Sequence, residues 1–155
     1  MKNKILMLAL VSGIIFSCKK KEEQLSTDEL KADVPQEQAA AVKECYEYTQ
    51  KKDTIQANIL VQGENVSGDL IYNLFEKDKN TGTITGTING DTLKADYKFV
   101  SEGKESVRQV VFLRKNKTLL EGYGESEEKD GKMVFKSMKD LNFTSSLQLL
   151  EVPCK

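Results

Sequence analysis

The chain has 155 residues and a formal net charge of −1, with 30% charged and 39% hydrophobic residues. That length suits one domain with a real core, and the charge balance argues against a nucleic-acid binder, which shows a basic face or a high isoelectric point. There is no histidine, so the Ser–His and Cys–His pairs of nucleophilic catalysis are excluded.

In chain order, Lys2 and Lys4 precede an apolar run from Ile5 to Phe16, then Ser17 and Cys18. A charged start, a short apolar core and a small residue form an export signal. The run falls well short of the roughly 20 residues that a spanning helix needs. The pattern resembles a bacterial lipoprotein signal, in which the chain is cut before the cysteine and lipid is attached to it. The resemblance implies a signal peptide over residues 1–17, lipidation of Cys18 and a membrane anchor. Lys19-Lys20-Lys21-Glu22-Glu23 resembles the lysine-plus-acid surface-export tract of Bacteroidetes lipoproteins; a solvated linker start is the alternative. Lys19 is also not the aspartate that retains enterobacterial lipoproteins in the inner membrane. The resemblance thus implies an outer-membrane lipoprotein, facing the periplasm or the outside.

Three cysteines are odd in number for an exported chain. If Cys18 carries lipid, Cys45 and Cys154 remain, an even pair in an oxidising compartment. A bridge between them would close a loop of roughly 110 residues, nominally worth about 4–5 kcal/mol. Residues 18–34 are rich in Lys, Glu, Gln, Ser, Thr and Asp, a composition that reads as a flexible tether. Pro35 and the helix formers up to Glu44 predict one short N-terminal helix, and the folded domain is expected over residues 35–155.

From Cys45 the pattern becomes that of strands. Ile55, Ala57, Ile59 and Val61 alternate with polar neighbours, a period of two. Leu70, Tyr72 and Leu74 share one face of the next segment. Thr83 to Ile88 follows, and Asn89-Gly90 is the strongest hairpin signal in the chain. Leu93, Ala95, Tyr97 and Phe99 alternate with Lys94, Asp96 and Lys98. Val107 to Arg114 and Thr118 to Tyr123 are further strands. A charged loop is expected over Glu125 to Lys132, then Met133-Val134-Phe135, and a last short strand or helical turn before Cys154.

The expected fold is therefore all-β: an antiparallel meander of about seven or eight strands, without intervening helices that would allow parallel units. Closure into an up-and-down, lipocalin-like barrel hides its edges most simply; a two-sheet sandwich is the alternative. Its Gly-Thr and Gly-Asp strand ends and Asp91-Thr92-Leu93-Lys94-Ala95-Asp96-Tyr97 resemble those of small flavobacterial lipoproteins, a likeness that brings no activity with it.

Ser101, Glu102, Ser106 and Arg108 form the densest polar group beside two strong strands. At a barrel mouth they would hold a polar ligand head, the Arg108 fork suiting a carboxylate or phosphate. A solvated hairpin loop with Glu102 paired to Arg108 is the plainer reading. Tyr72 and Tyr97, with Tyr46, Tyr48 and Phe99, either line a ligand cavity or form plain core. Asp78-Lys79-Asn80-Thr81-Gly82 lacks the sixth-position Gly and terminal Glu of an EF-hand and reads as a turn. Glu125, Glu127, Glu128 and Asp130 read as a solvated loop. No metal or cofactor site, catalytic residue or nucleic-acid partner is expected.

The expectation is a monomeric, non-catalytic envelope protein that binds a small apolar or amphipathic ligand. A packed protein-interaction or inhibitor module is the alternative, and a hydrolase using two carboxylates a weaker one.

Overall fold

The computed structural model describes residues 40–144 and 147–155, and these are all-β. Ten strands succeed one another: β1 (Val42–Gln50), β2 (Asp53–Gln62), β3 (Asn65–Asn73), β4 (Asn80–Asn89), β5 (Thr92–Ser101), β6 (Lys104–Lys115), β7 (Thr118–Glu121), β8 (Ser126–Lys129), β9 (Lys132–Phe135) and β10 (Gln148–Val152). Strands β1 to β7 meander, each antiparallel to the next, and β10 returns between β7 and β1. With the long β5–β6 pairing, this closes an eight-stranded antiparallel barrel, and the β8–β9 hairpin hangs from the outer flank of β6 through Arg108↔Met133. Closure leaves no long open edge for another chain to pair with.

Period-two patterning dictates which side chains enter the barrel. Ile55, Ala57 and Ile59 of β2 are buried while Gln56 and Asn58 face out. Leu93, Ala95 and Tyr97 of β5 do the same against Lys94. With Leu70, Ile84, Val110, Phe112, Leu119 and Leu149 they fill the middle of the barrel. Each such fully buried side chain contributes roughly 1.5–3 kcal/mol of burial. Two inward positions of β4 hold no side chain. A Cβ on Gly82 or Gly86 would run into the β5 backbone at the Lys98 or Lys94 carbonyl, so only glycine lets β4 and β5 approach this closely.

Turn chemistry fixes the two ends. Asn89 and Thr92 pair across a turn in which Gly90 has φ 57°. The residues Asp130 and Gly131 both take positive φ, 52° and 77°, and join β8 to β9. The expected charged loop from Glu125 to Lys132 is thus a hairpin, because Asp-Gly tolerates the left-handed backbone that a tight reversal demands. At the end of the barrel that holds the β2–β3, β4–β5 and β6–β7 turns, Arg114 N donates to Asp91 O at 2.7 Å and Ile88 N to Glu64 O at 2.8 Å. The chain enters β1 at this same end. The opposite end, where β3 leads into the Leu74–Lys79 connection and β5 into the Glu102–Gly103 turn, is the mouth.

Cys45 and Cys154 are joined, with Cα atoms 5.3 Å apart and a sequence separation of 109. The bridge staples the seam between the first and last strands, where β1 and β10 share only three pairs, Cys45↔Val152 to Glu47↔Leu150. Of the helix expected between Pro35 and Glu44, residues 35–39 lie outside the described residues, and Val42–Glu44 belong instead to β1. The reason is pairing: all nine residues of β1 find partners on β2, Val42↔Val61 to Gln50↔Asp53, and this outweighs helix propensity. The expected signal peptide, Cys18 and the expected tether also lie outside the described residues.

Candidate functional site

The mouth holds a cavity of about 500 Å³, inside the size range of small-molecule sites. Its inner surface is built mainly from β3, β5, β6 and β7. Tyr72 comes from the end of β3, Phe99 and Ser101 from the end of β5, Arg108 from β6 and Glu121 from β7. Leu74, Lys77 and Asp78 of the β3–β4 connection, with Asn80 at the start of β4, form one wall, and Tyr123 and Leu147 the other.

Glu121 is the buried acid of the site, 5% exposed. It occupies an inward position of β7, two residues after buried Leu119. Both its carboxylate oxygens accept phenolic hydrogen bonds: Tyr72 donates to Oε1 at 2.8 Å and Tyr123 to Oε2 at 3.0 Å. Burial pushes the Glu121 carboxyl above its ordinary value, although Tyr72, Arg108 and Tyr123 all pull it down. Burial, and then the charge of Glu121, push the Tyr72 hydroxyl well above 10.0.

Arg108 faces Tyr97 across the β5–β6 ladder. Its guanidinium carbon lies 4.9 Å from the Tyr72 ring centre, 5.5 Å from that of Tyr97 and 5.7 Å from that of Phe99. Tyr97 and Phe99 are stacked at 4.8 Å, and Tyr72 is tilted against Tyr97 at 5.8 Å. The cation therefore rests on three rings, a favourable electrostatic platform. Its Nη2 lies 3.9 Å from Glu121 Oε1, close enough for charge attraction but too far for a hydrogen bond. Beneath, the Tyr97 hydroxyl donates to the Leu70 carbonyl at 2.9 Å, reaching across β4 where Gly82 carries no side chain. Burial pushes that hydroxyl up to about 12.

A second, smaller cavity of about 160 Å³ lies on the other side of the same residues, lined by Arg108, Glu121 and Tyr123 together with Met133 and Phe135. It exists because β6 pairs with β7 only over Phe112–Lys115. Beyond that point β7 veers off: Tyr123 pairs with Asn142, and the Phe143 ring packs where a Cβ on Gly122 would stand.

The polar group expected from sequence is divided by this geometry. Ser101, Arg108 and Tyr72 meet at the cavity. Tyr97 is fully buried below it as part of the core. Glu102 sits exposed in the β5–β6 turn at φ 48°, and Ser106, on the inward side of β6 but two pairs nearer the rim than Arg108, is exposed; neither lines the cavity. The partner of Arg108 is Glu121, not Glu102. Among the rings, Tyr46 is buried core, and Phe99 joins Tyr72 at the cavity. Glu121 and Tyr123 were not legible as site residues, because Leu119-Leu120-Glu121 places apolar residues in both phases of the strand. Among the described residues, no three His, Cys, Asp or Glu side chains gather as metal ligands would. No protein-family model, curated protein or solved structure matches the chain.

Proposed function

We propose that this is a lipid-anchored, non-catalytic binding protein of the bacterial cell envelope, which holds a small apolar or amphipathic ligand at the mouth of its barrel. The observation that carries the reading is the roughly 500 Å³ mouth cavity, where apolar Leu74, Phe99 and Leu147 stand beside a few convergent polar groups. The barrel's middle is solidly packed, so the ligand sits at the rim rather than threading the interior. The Cys45–Cys154 bridge supports an oxidising compartment. The signal-like residues 1–18 support anchoring through Cys18.

A native mass spectrum of the purified protein tests the binding reading. An added mass that leaves on denaturation is expected, and a bare protein that also takes up no amphipathic probe would sink it. Cys18→Ser tests the anchor, with release from the membrane fraction expected. The second reading, an envelope interaction module, is favoured by the exposure of Phe75, Tyr123, Met133 and Met138. It predicts a bare mass and co-purification with an envelope protein.

A further inference from the structure

The geometry points to a monocarboxylate with an apolar body as the ligand of the mouth cavity, its carboxylate received by the guanidinium of Arg108. This rests on the binding reading above and adds the chemistry of the ligand's head. Arg108 is the observation. Among the described residues its guanidinium makes no hydrogen bond, its Nε is buried without a partner, and its nearest acid oxygen is 3.9 Å away. A donor buried like this Nε is ordinarily satisfied, while the side chain as a whole, 37% exposed, is on the cavity lining. Glu121 does not need them, since its two oxygens are taken by Tyr72 and Tyr123.

The far end of the barrel supplies an internal comparison. There the same three residue types meet, but Arg114 donates directly to Glu44 at 2.7 Å, and Tyr46 donates to the same carboxylate at 2.7 Å. That arginine is spent within the fold. Arg108 instead rests over ring faces, which accept no hydrogen bond from its Nη donors and leave the fork to a ligand. A planar carboxylate matches such a fork with two parallel hydrogen bonds.

Charge selects a monoanion over a phosphate. Lys77 and Arg108 balance Asp78 and Glu121 on the lining, so a second negative charge on the ligand would lie beside Glu121 with no further cation among the described lining residues to meet it. Leu74, Phe99 and Leu147 offer the apolar body its wall.

The test is calorimetric titration of the full-length protein with octanoate, 1-octanol and octyl phosphate at neutral pH, repeated on Arg108→Gln and Arg108→Lys, with circular dichroism as the check of folding. Octanoate is expected to bind roughly 10- to 100-fold more tightly than octanol, the worth of charge-assisted hydrogen bonds. Arg108→Gln should level the two, and Arg108→Lys, a point charge without the fork, should restore only part of the difference. Octanol binding as tightly as octanoate overturns the carboxylate while leaving the cavity as a binding site. Tighter binding of octyl phosphate than of octanoate also overturns it. If neither octanoate nor octanol binds, the binding reading itself falls. Should Arg108→Gln misfold, the acid-to-alcohol ratio of the unaltered protein decides alone.

Discussion

Replacing both bridged cysteines, Cys45→Ala with Cys154→Ala, tests how the barrel is held shut. The bridge spans 109 positions of sequence. In the chain-entropy account a loop of that length restrains the unfolded ensemble by about 4–5 kcal/mol. Single domains are stable by only about 5–15 kcal/mol, so the loss would remove a large share of the margin. With a urea slope of about 2 kcal/mol per molar, the unfolding midpoint should fall by about 2 M. The slope itself should steepen, since an unbridged chain exposes more surface when it unfolds. The seam makes the loss local as well as global. Because β10 holds three pairs with β1 and three with β7, amide exchange should quicken first at Leu149 and Leu150 and at Tyr46. Equilibrium urea unfolding of the oxidised protein and of the double variant, with native-state hydrogen exchange on both, reads all three effects. A loss below about 1 kcal/mol with an unchanged slope would refute the reasoning, and would mean that the packing of Leu149 alone closes the barrel.

Three further outcomes are expected. Gly86→Ala should cost about 1–3 kcal/mol or more in urea unfolding, since the new methyl would stand 2.7 Å from the Ala95 Cβ and press on the β5 backbone; a neutral result would mean that β4 and β5 can part without penalty. Tyr97→Phe should cost about 1 kcal/mol by loss of the buried bond to the Leu70 carbonyl, and a larger loss would implicate the Arg108 platform. Glu121→Gln should change the pH dependence of stability. The folded-state value of Glu121 lies above its ordinary 4.5, so the native state holds its proton more tightly than the unfolded chain. Stability from this group is therefore complete below about 4.5 and is lost as pH rises through the folded value. The unaltered protein should lose ground to Glu121→Gln across that window in thermal melts, and a pH-independent gap would show that the burial of Glu121 is fully compensated.

The barrel was legible because its inner face obeys one period. Ile55-Ala57-Ile59 and Leu93-Ala95-Tyr97 alternate without a break, and Asn89-Gly90 marks its reversal. Where two signals competed, the weaker-looking one prevailed. Ala39 to Glu44 favours a helix by composition, yet Val42 and its neighbours gain a full ladder against β2. Charge masked the hairpin at Asp130-Gly131, for Glu127, Glu128 and Lys129 look like loop residues until the turn geometry is considered. Half of the site could be read, and the other half could not. Arg108 and Tyr72 stand out as a rare fork and an aromatic in a strand. Glu121 becomes a site residue only when β7 is set beside β6, which places it opposite Phe112 and within reach of Tyr72. Proximity in sequence misled in the case of Glu102, which the turn carries out past the rim.

The meeting of the first and last strands has a further consequence, for the order in which the chain can be written. Lys43 Nζ donates to the Lys155 carbonyl at 3.3 Å, so the two boundaries of the barrel are neighbours. A short glycine-serine linker from Lys155 to residue 40 would make the chain circular, and cutting between Asn89 and Gly90 would open it again at an exposed turn, as circular permutation requires. Every ladder would survive, but the Cys45–Cys154 bridge would then close a loop of about 15 residues, for which the entropic restraint is about 3 kcal/mol. The permuted barrel would keep the same native contacts and yet be less stable. The difference would come entirely from the freedom given back to the unfolded chain.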